Sequence, residues 1–237
     1  VVYIEKQRDM ENKFASLCVL AYKRPEKLVD CLSTIRQNTD YPYEIVVNLD
    51  ADENLRNQDY LMRLYKDKKI SKLILNTGMN RGVGRSFANC IGVAEGDYIV
   101  KVDTDLTFKP LWLSKAILIL EQNKDIGAVS LFNYRNYDPN DTRFTITEDR
   151  ETCYIVNDFV SSIYIFDKNL LEGTDKWVED DGFHSYIQSK GYHLAITKED
   201  FVHNDGFGVT KSTYVSGTED HPYKTPTHES PLIFNKN

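Results

Sequence analysis

Tyr98-Ile99-Val100-Lys101-Val102-Asp103-Thr104-Asp105 is the stretch on which the reading of this chain turns. Rich in β-branched and aromatic residues, it reads as a short buried strand, and it ends in two carboxylates one residue apart. A strand delivers its last residues rigidly at the carboxyl edge of a sheet, where open α/β sheets place their ligands. Two aspartates so close repel each other unless a cation lies beside them. Their oxygens suit hard ions such as magnesium or manganese, which in turn neutralise a diphosphate. Alone, an Asp-x-Asp after a strand is more often a solvated turn, so its meaning depends on the residues around it.

Upstream, the apolar run Ala15–Ala21 predicts a first buried strand, broken by Tyr22-Lys23-Arg24-Pro25. Pro25 suits the first position of a helix, and Leu28, Cys31, Leu32 and Ile35 repeat at helical spacing. Glu44–Asp50 reads as the second strand and leads into an acidic loop with Asp52 and Glu53; a helix over 57–67 and a strand over Ile70–Asn76 follow. The segment Asn76-Thr77-Gly78-Met79-Asn80-Arg81-Gly82-Val83-Gly84-Arg85 is a glycine-rich turn opening a helix that runs to about Glu95. Its two arginines are able to reach a phosphate, but no Gly-Lys-Ser/Thr follows and the spacing is not that of a dinucleotide fingerprint. Alternation of helices with nearly continuous apolar strands predicts an α/β fold, Rossmann-like, with parallel strands covered on both faces.

Downstream, Leu113, Ile117 and Leu120 mark one face of a helix, and Ile126–Leu131 another buried strand. Residues 133–142 are polar and turn-rich, 143–156 alternate like an exposed hairpin, and 159–166 are strand-like, the character of a smaller α+β region. Trp177-Val178-Glu179-Asp180-Asp181-Gly182 places three carboxylates at the start of a helix reaching Gly191, a natural C-cap. An acidic first turn is ordinary on dipole grounds alone. Phe201-Val202-His203-Asn204 brings a histidine to the mouth of a glycine-bearing loop.

Bulk properties set limits. With 237 residues, 41% hydrophobic, the chain can bury one large core, and its net charge of −7 (29 basic against 36 acidic) is interspersed rather than blocked. A polyanion such as nucleic acid is therefore disfavoured as a general partner. The four cysteines are scattered without Cys-x-x-Cys spacing and read as buried thiols of a reducing compartment. No run of eighteen apolar residues and no signal-peptide pattern are seen, so the expectation is a cytoplasmic protein, with peripheral attachment to a membrane left open.

Taken in order, Asn76-x-Gly78, Ala94-x-Gly96-Asp97-Tyr98-Ile99 running into Asp103-x-Asp105, and Glu179-Asp180 before a helix ending Lys190-Gly191-Tyr192 resemble glycosyltransferase family 2, over roughly residues 15–205. The resemblance implies a GT-A fold: a nucleotide-sugar half at 15–105, an acceptor half at 106–205, a lead-in at 1–14 and a tail at 206–237 acting as a lid. It implies an inverting transfer from a nucleotide-diphosphate sugar, a UDP-sugar by family frequency, to the hydroxyl of a glycan or other acceptor, a modified nucleobase not excluded, with manganese or magnesium as cofactor. In its terms Ala21 and Tyr22, with Arg24, would line the nucleotide pocket. Asp50, or Asp52 given the unusual Leu49-Asp50-Ala51-Asp52, would contact the base. Asn76, Gly78 and one of Arg81 and Arg85 would lie near the donor. Asp103 would sit by the ribose or sugar and touch the metal, with Thr104 between it and Asp105, the direct metal ligand; His203 would complete the metal site. Asp180 would be the general base, Asp181 its adjacent alternative and Glu179 a positioning group. A sugar-phosphate nucleotidyltransferase is the competing enzymatic reading, weakened by Ala21-Tyr22-Lys23-Arg24-Pro25 where that class carries a glycine-rich basic signature. A non-catalytic binding module of the same fold is the third.

Overall fold

The computed structural model describes residues 13–51, 55–76, 78, 80–133, 144–159, 161–172, 180–204 and 232–234. The first half alternates strictly: β1 (Ala15–Ala21), α1 (Pro25–Asn38), β2 (Tyr43–Asp50), α2 (Leu55–Lys66), β3 (Lys72–Asn76), α3 (Gly82–Val93) and β4 (Tyr98–Asp103). The second half is less regular, with β5 (Leu106–Phe108), α4 (Trp112–Gln122), β6 (Ile126–Ser130), β7 (Ile146–Asp149), β8 (Cys153–Val156), β9 (Ile163–Asp167), a 3-10 turn (Lys168–Leu171), α5 (Asp180–Ser189), β10 (His193–Thr197), β11 (Val202–Asn204) and β12 (Leu232–Phe234).

One sheet runs through both halves in the order β12-β3-β2-β1-β4-β9-β6-β10-β8-β7, and β11 pairs β5 separately. The pairs β1·β2, β1·β4, β2·β3 and β6·β10 are parallel, while β9 enters antiparallel between β4 and β6. This mostly parallel sheet flanked by helices is the expected fold class. Every residue of β1 is buried, as a strand covered on both faces must be. The chain moves from β1 to β2 and β3 on one side and returns to β4 on the other, so strand order reverses at β1. The carboxyl edge beside that reversal is where such sheets open a crevice.

The opposite edge is locked by a buried ion pair. Lys72 Nζ lies 2.9 Å from Glu44 Oε2, while Glu44 Oε1 accepts from the Ser16 hydroxyl (2.6 Å) and the Glu95 N–H (2.7 Å). Beneath it Gly96 passes so close to β1 that a Cβ would stand 2.6 Å from Ser16 N, which explains a glycine just before β4. That approach ends α3 at Val93, shorter than the periodicity suggested. On the far half, Gly127 of β6 lets Ile187 of α5 dock, since a Cβ there would meet its side chain at 2.6 Å. The strand expected over 159–166 begins only at Ile163; just before it the Ser161 carbonyl accepts from Lys101 Nζ (2.5 Å) and the Ser162 carbonyl from the Asp103 N–H (3.0 Å).

All four cysteines are free and buried. Among the described residues, no helix is long and apolar enough to cross a membrane.

Candidate active site

Three parallel strands end at the same edge. β1 ends at Ala21, β2 at Asp50 and β4 at Asp103, with Leu20 opposite both Asn48 and Asp103 in the ladder. The turn after β1 is strained: Lys23 and Arg24 both adopt positive φ (53° and 48°), conformations that ordinary side chains disfavour. Asn57 of α2, fully buried, holds this turn by donating its amide to the Lys23 carbonyl (3.0 Å). Tyr22 is exposed at the mouth and Arg24 caps α1. The two left-handed residues turn the chain so that Arg24 Nη1 comes 3.5 Å from Asp105 Oδ2.

Asp50 is 3% exposed and serves α3 directly. Its carboxylate accepts from the backbone N–H groups of Arg81 (2.9 Å) and Gly82 (2.9 Å), and from the Asn76 amide (3.1 Å). A carboxylate at a helix N-terminus satisfies donors that have no intrahelical partner and interacts favourably with the dipole. Gly82, at φ 79°, gives the backbone the shape that points both N–H groups at Asp50. Asn76 also meets Asn48 (3.4 Å), and Asn89 of α3 bridges both, so an amide cluster underlies the aspartate. Gly78 is exposed with φ 86°, and Arg85 lies on α3 a turn beyond Arg81. Asp52 and Glu53 lie outside the described residues.

At the end of β4 the two aspartates differ in surroundings. Asp103 Oδ1 lies 2.9 Å from Lys101 Nζ, a lysine only 1% exposed inside the strand. Thr104 is buried between the pair. Asp105 has one oxygen toward Arg24, and its Oδ1 is buried with no hydrogen-bond partner among the described residues. Burial above all, then the negative field of Asp105 and Asp103, pushes the Cys31 thiol up from its ordinary range, so it stays protonated under them. A buried carboxylate oxygen without a partner costs free energy unless something supplies a positive charge or donor, so Asp105 fits a hard divalent cation. Among the described residues no group of three or more His, Cys, Asp or Glu side chains stands ready for a metal. His203 is exposed on β11, paired with Thr107 of β5, the strand that begins right after Asp105.

α5 packs on the strands β6 and β10, and the bond between His184 of its first half and Ser161 places its N-terminus at this same edge. Its backbone runs from Asp180 to Ser189, and Gly191 just beyond, with a φ of 84°, turns the chain off the helix end as expected of a glycine C-cap. Glu179 lies outside the described residues, and so do the side chains of Asp180 and Asp181. The structure therefore gathers Ala21, Tyr22, Arg24, Asp50, Asn76, Arg81, Asp103, Thr104 and Asp105 at one edge, with the start of α5 facing it. Lys101, Asn57, Ser161 and His184 were not singled out from sequence. A lysine inside an apolar strand was a legible signal for the first; nothing local announced the others.

The family model for glycosyl transferase family 2 matches residues 16–190, most of the chain. The protein belongs to glycosyltransferase family 2. It resembles uncharacterised glycosyltransferases of Methanocaldococcus jannaschii (28% identical over 53% of this chain and 43% of the relative) and Haemophilus influenzae (31% over 52% and 38%). The matched stretch is thus less than half the length of either relative. Among solved structures, a Pyrobaculum calidifontis mannosyltransferase in complex with GDP-Man and Mn2+ superposes with a TM-score of 0.62 at 19% identity, covering 84% of this chain and 64% of that one. The S. aureus enzyme TarS in complex with UDP-GlcNAc gives 0.58 at 16% (80% and 57%), and GalNAc-T7 with UDP, GalNAc and Mn2+ gives 0.62 at 11% (79% and 43%). At these identities the likeness establishes the GT-A fold of this family 2 glycosyltransferase.

Proposed function

We propose that this family 2 glycosyltransferase moves a sugar, with inversion, from a nucleotide-diphosphate sugar to an acceptor hydroxyl, with a divalent cation at Asp105. The carrying observation is the unpartnered, buried Asp105 Oδ1 at the carboxyl edge where strand order reverses. Structural relatives solved with GDP-Man, UDP-GlcNAc and Mn2+ support the same reading. Donors of the uridine diphosphate class are the first choice.

Within this proposal each residue has a definite task. The turn at Ala21-Tyr22 and Arg24 forms one wall of the nucleotide pocket, and Asp50 keeps one acceptor direction for the base while capping α3. Arg81, at the start of α3, is the better placed of the two arginines to face a phosphate, because Arg85 stands a turn farther along the helix. Asp103, already partnered by Lys101, orients a ribose or sugar hydroxyl; Asp105, with His203 as the candidate completing ligand, holds the cation. That cation, manganese or magnesium, would neutralise charge appearing on the departing diphosphate. Asp180 removes the acceptor proton as its oxygen attacks the anomeric carbon, with Asp181 adjacent and Glu179 positioning.

The test is a panel of nucleotide-diphosphate sugars, each with and without Mn2+, read by thermal shift and by donor hydrolysis. One donor stabilising the protein only with metal, and being turned over, is the expected result. Folded protein that neither binds nor hydrolyses any of them would overturn the proposal in favour of a binding module.

A further inference from the structure

We infer that His184 is a positioning residue that, through Ser161, fastens the start of α5 to Asp103 at the end of β4. The inference rests on the proposed function for its kinetic consequence and on geometry for the link itself.

His184 is 4% exposed, yet both ring nitrogens have partners: Nδ1 meets the Asp158 carboxylate and Nε2 stands 3.3 Å from the Ser161 hydroxyl. Its ring is walled by aromatics, with Phe159 at 4.3 Å and Tyr164 at 6.0 Å between centroids. A buried imidazole with two polar partners in an aromatic box is held in one orientation. The segment it grips then makes three further bonds. The Ser161 carbonyl accepts from Lys101 Nζ (2.5 Å), whose ammonium also binds Asp103 (2.9 Å); the Ser162 carbonyl accepts the Asp103 N–H (3.0 Å); and the Ser162 hydroxyl accepts from Asn204 of β11 (3.1 Å). One short stretch thereby joins α5, β4 and β11.

Asp180 lies four residues before His184, about 6 Å along the helix axis at 1.5 Å per residue. A base on one element and a donor site on another must be held to within a fraction of an ångström for direct displacement, since about 1 Å of misplacement can cost on the order of a hundredfold in rate. α5 also packs against β6 and β10 and, through Phe183, on Tyr164 and Phe166 of β9; those contacts are apolar and leave the Asp103 carboxylate untouched, whereas the bridge from His184 through the 161–162 segment reaches it.

The experiment compares His184→Phe, which keeps an aromatic ring and removes both bonds, with Ser161→Ala and Ser161→Thr. Amide hydrogen exchange is followed at Asp103 and at 161–162, with Leu73 and Ile74 of β3 as an internal reference, alongside donor hydrolysis. Both His184→Phe and Ser161→Ala should speed exchange at Asp103 and leave β3 unchanged. Both should lower kcat about tenfold with donor KM within about threefold, as loss of positioning predicts; Ser161→Thr, keeping the hydroxyl, should retain the wild-type rate. A fall in Tm with unchanged kcat, or unchanged exchange at Asp103, overturns the inference. If the wild-type protein turns over no donor, the functional proposal fails, and the exchange arm alone decides whether the link exists.

Discussion

The ammonium of Lys101 lies 2.9 Å from Oδ1 of Asp103, and the lysine is buried within the strand that ends at that aspartate. The two acidic groups of the Asp-x-Asp pair are therefore unequal: the first has a counter-charge built into its own strand, and the second, among the described residues, has a 3.5 Å contact to Arg24. Removing one partner of a buried ion pair strands the other and is costly where that partner stays in the interior, but Asp103 keeps a third of its side chain exposed to water, so here the main loss is its neutralising charge. Lys101→Met should leave the protein folded and weaken nucleotide-sugar binding about tenfold through repulsion with the diphosphate, which isothermal titration would read directly.

Asp105→Asn should remove the metal dependence of donor binding. At a hundredfold excess over Kd, a ligand specific for the native state stabilises it by about 2.7 kcal/mol. The variant should show the same thermal shift with a donor in Mn2+ as in chelator; a retained metal-dependent shift would place the cation elsewhere.

Asp180→Asn should keep donor binding and lose turnover, by about 10²- to 10⁴-fold if the carboxylate is the general base. Single-turnover hydrolysis beside titration separates the two effects. Wild-type turnover by this variant would move the role to Asp181.

Asp50 has two tasks, so its removal should show in two measurements. Asp50→Ala leaves the Arg81 and Gly82 N–H groups without their acceptor, and loss of such a cap costs about 1–2 kcal/mol, measurable by urea unfolding. Donor affinity should fall as well if the same carboxylate meets the base.

Acid should loosen the edge opposite the site first. Burial works to raise the Glu121 carboxyl, but bonds from Lys124, Tyr98 and Lys13 outweigh it and hold it at about 2. Burial likewise opposes, and Lys72 and Ser16 outweigh it in lowering, the Glu44 carboxyl. Carboxyls depressed on folding contribute their full stability above the unfolded value, about 4.3 for Glu, and lose it as pH falls toward the folded one. Stability should thus drop between roughly pH 4.5 and 2, and Glu121→Gln should flatten that drop in chemical denaturation. Lys72→Met, which strands Glu44 in the interior, should cost about 3 kcal/mol at neutral pH.

Much of the fold was legible because it depends on local pattern. The mostly apolar runs at Ala15–Ala21, Glu44–Asp50 and Tyr98–Val102 are short, nearly continuous and rich in β-branched residues, the pattern of strands covered on both sides. Pro25, Gly78 and Gly191 marked turns and caps because only those residue types tolerate the backbone required there. Less legible was β9: its sequence gives a strand but not its direction, and it runs antiparallel between β4 and β6. Direction depends on where the preceding loop is tied, and that loop is tied by Lys101 and Asp103, some sixty residues away.

The site divides along the same line. By itself, the sequence determined which residues end the strands at the ligand-binding edge, since strand composition and the order of Asp50, Asp103 and Asp105 are properties of consecutive residues. Only the tertiary structure decided what those carboxylates are bonded to. Asp50 caps α3, Asp103 answers a lysine buried in its own strand, Asp105 keeps a buried oxygen without a partner, and His184 reaches the site through Ser161. Hydrogen bonds and buried charges are settled by side chains brought within about 3 Å, and chain folding sets that proximity between residues whose separation in sequence carries no periodic signal.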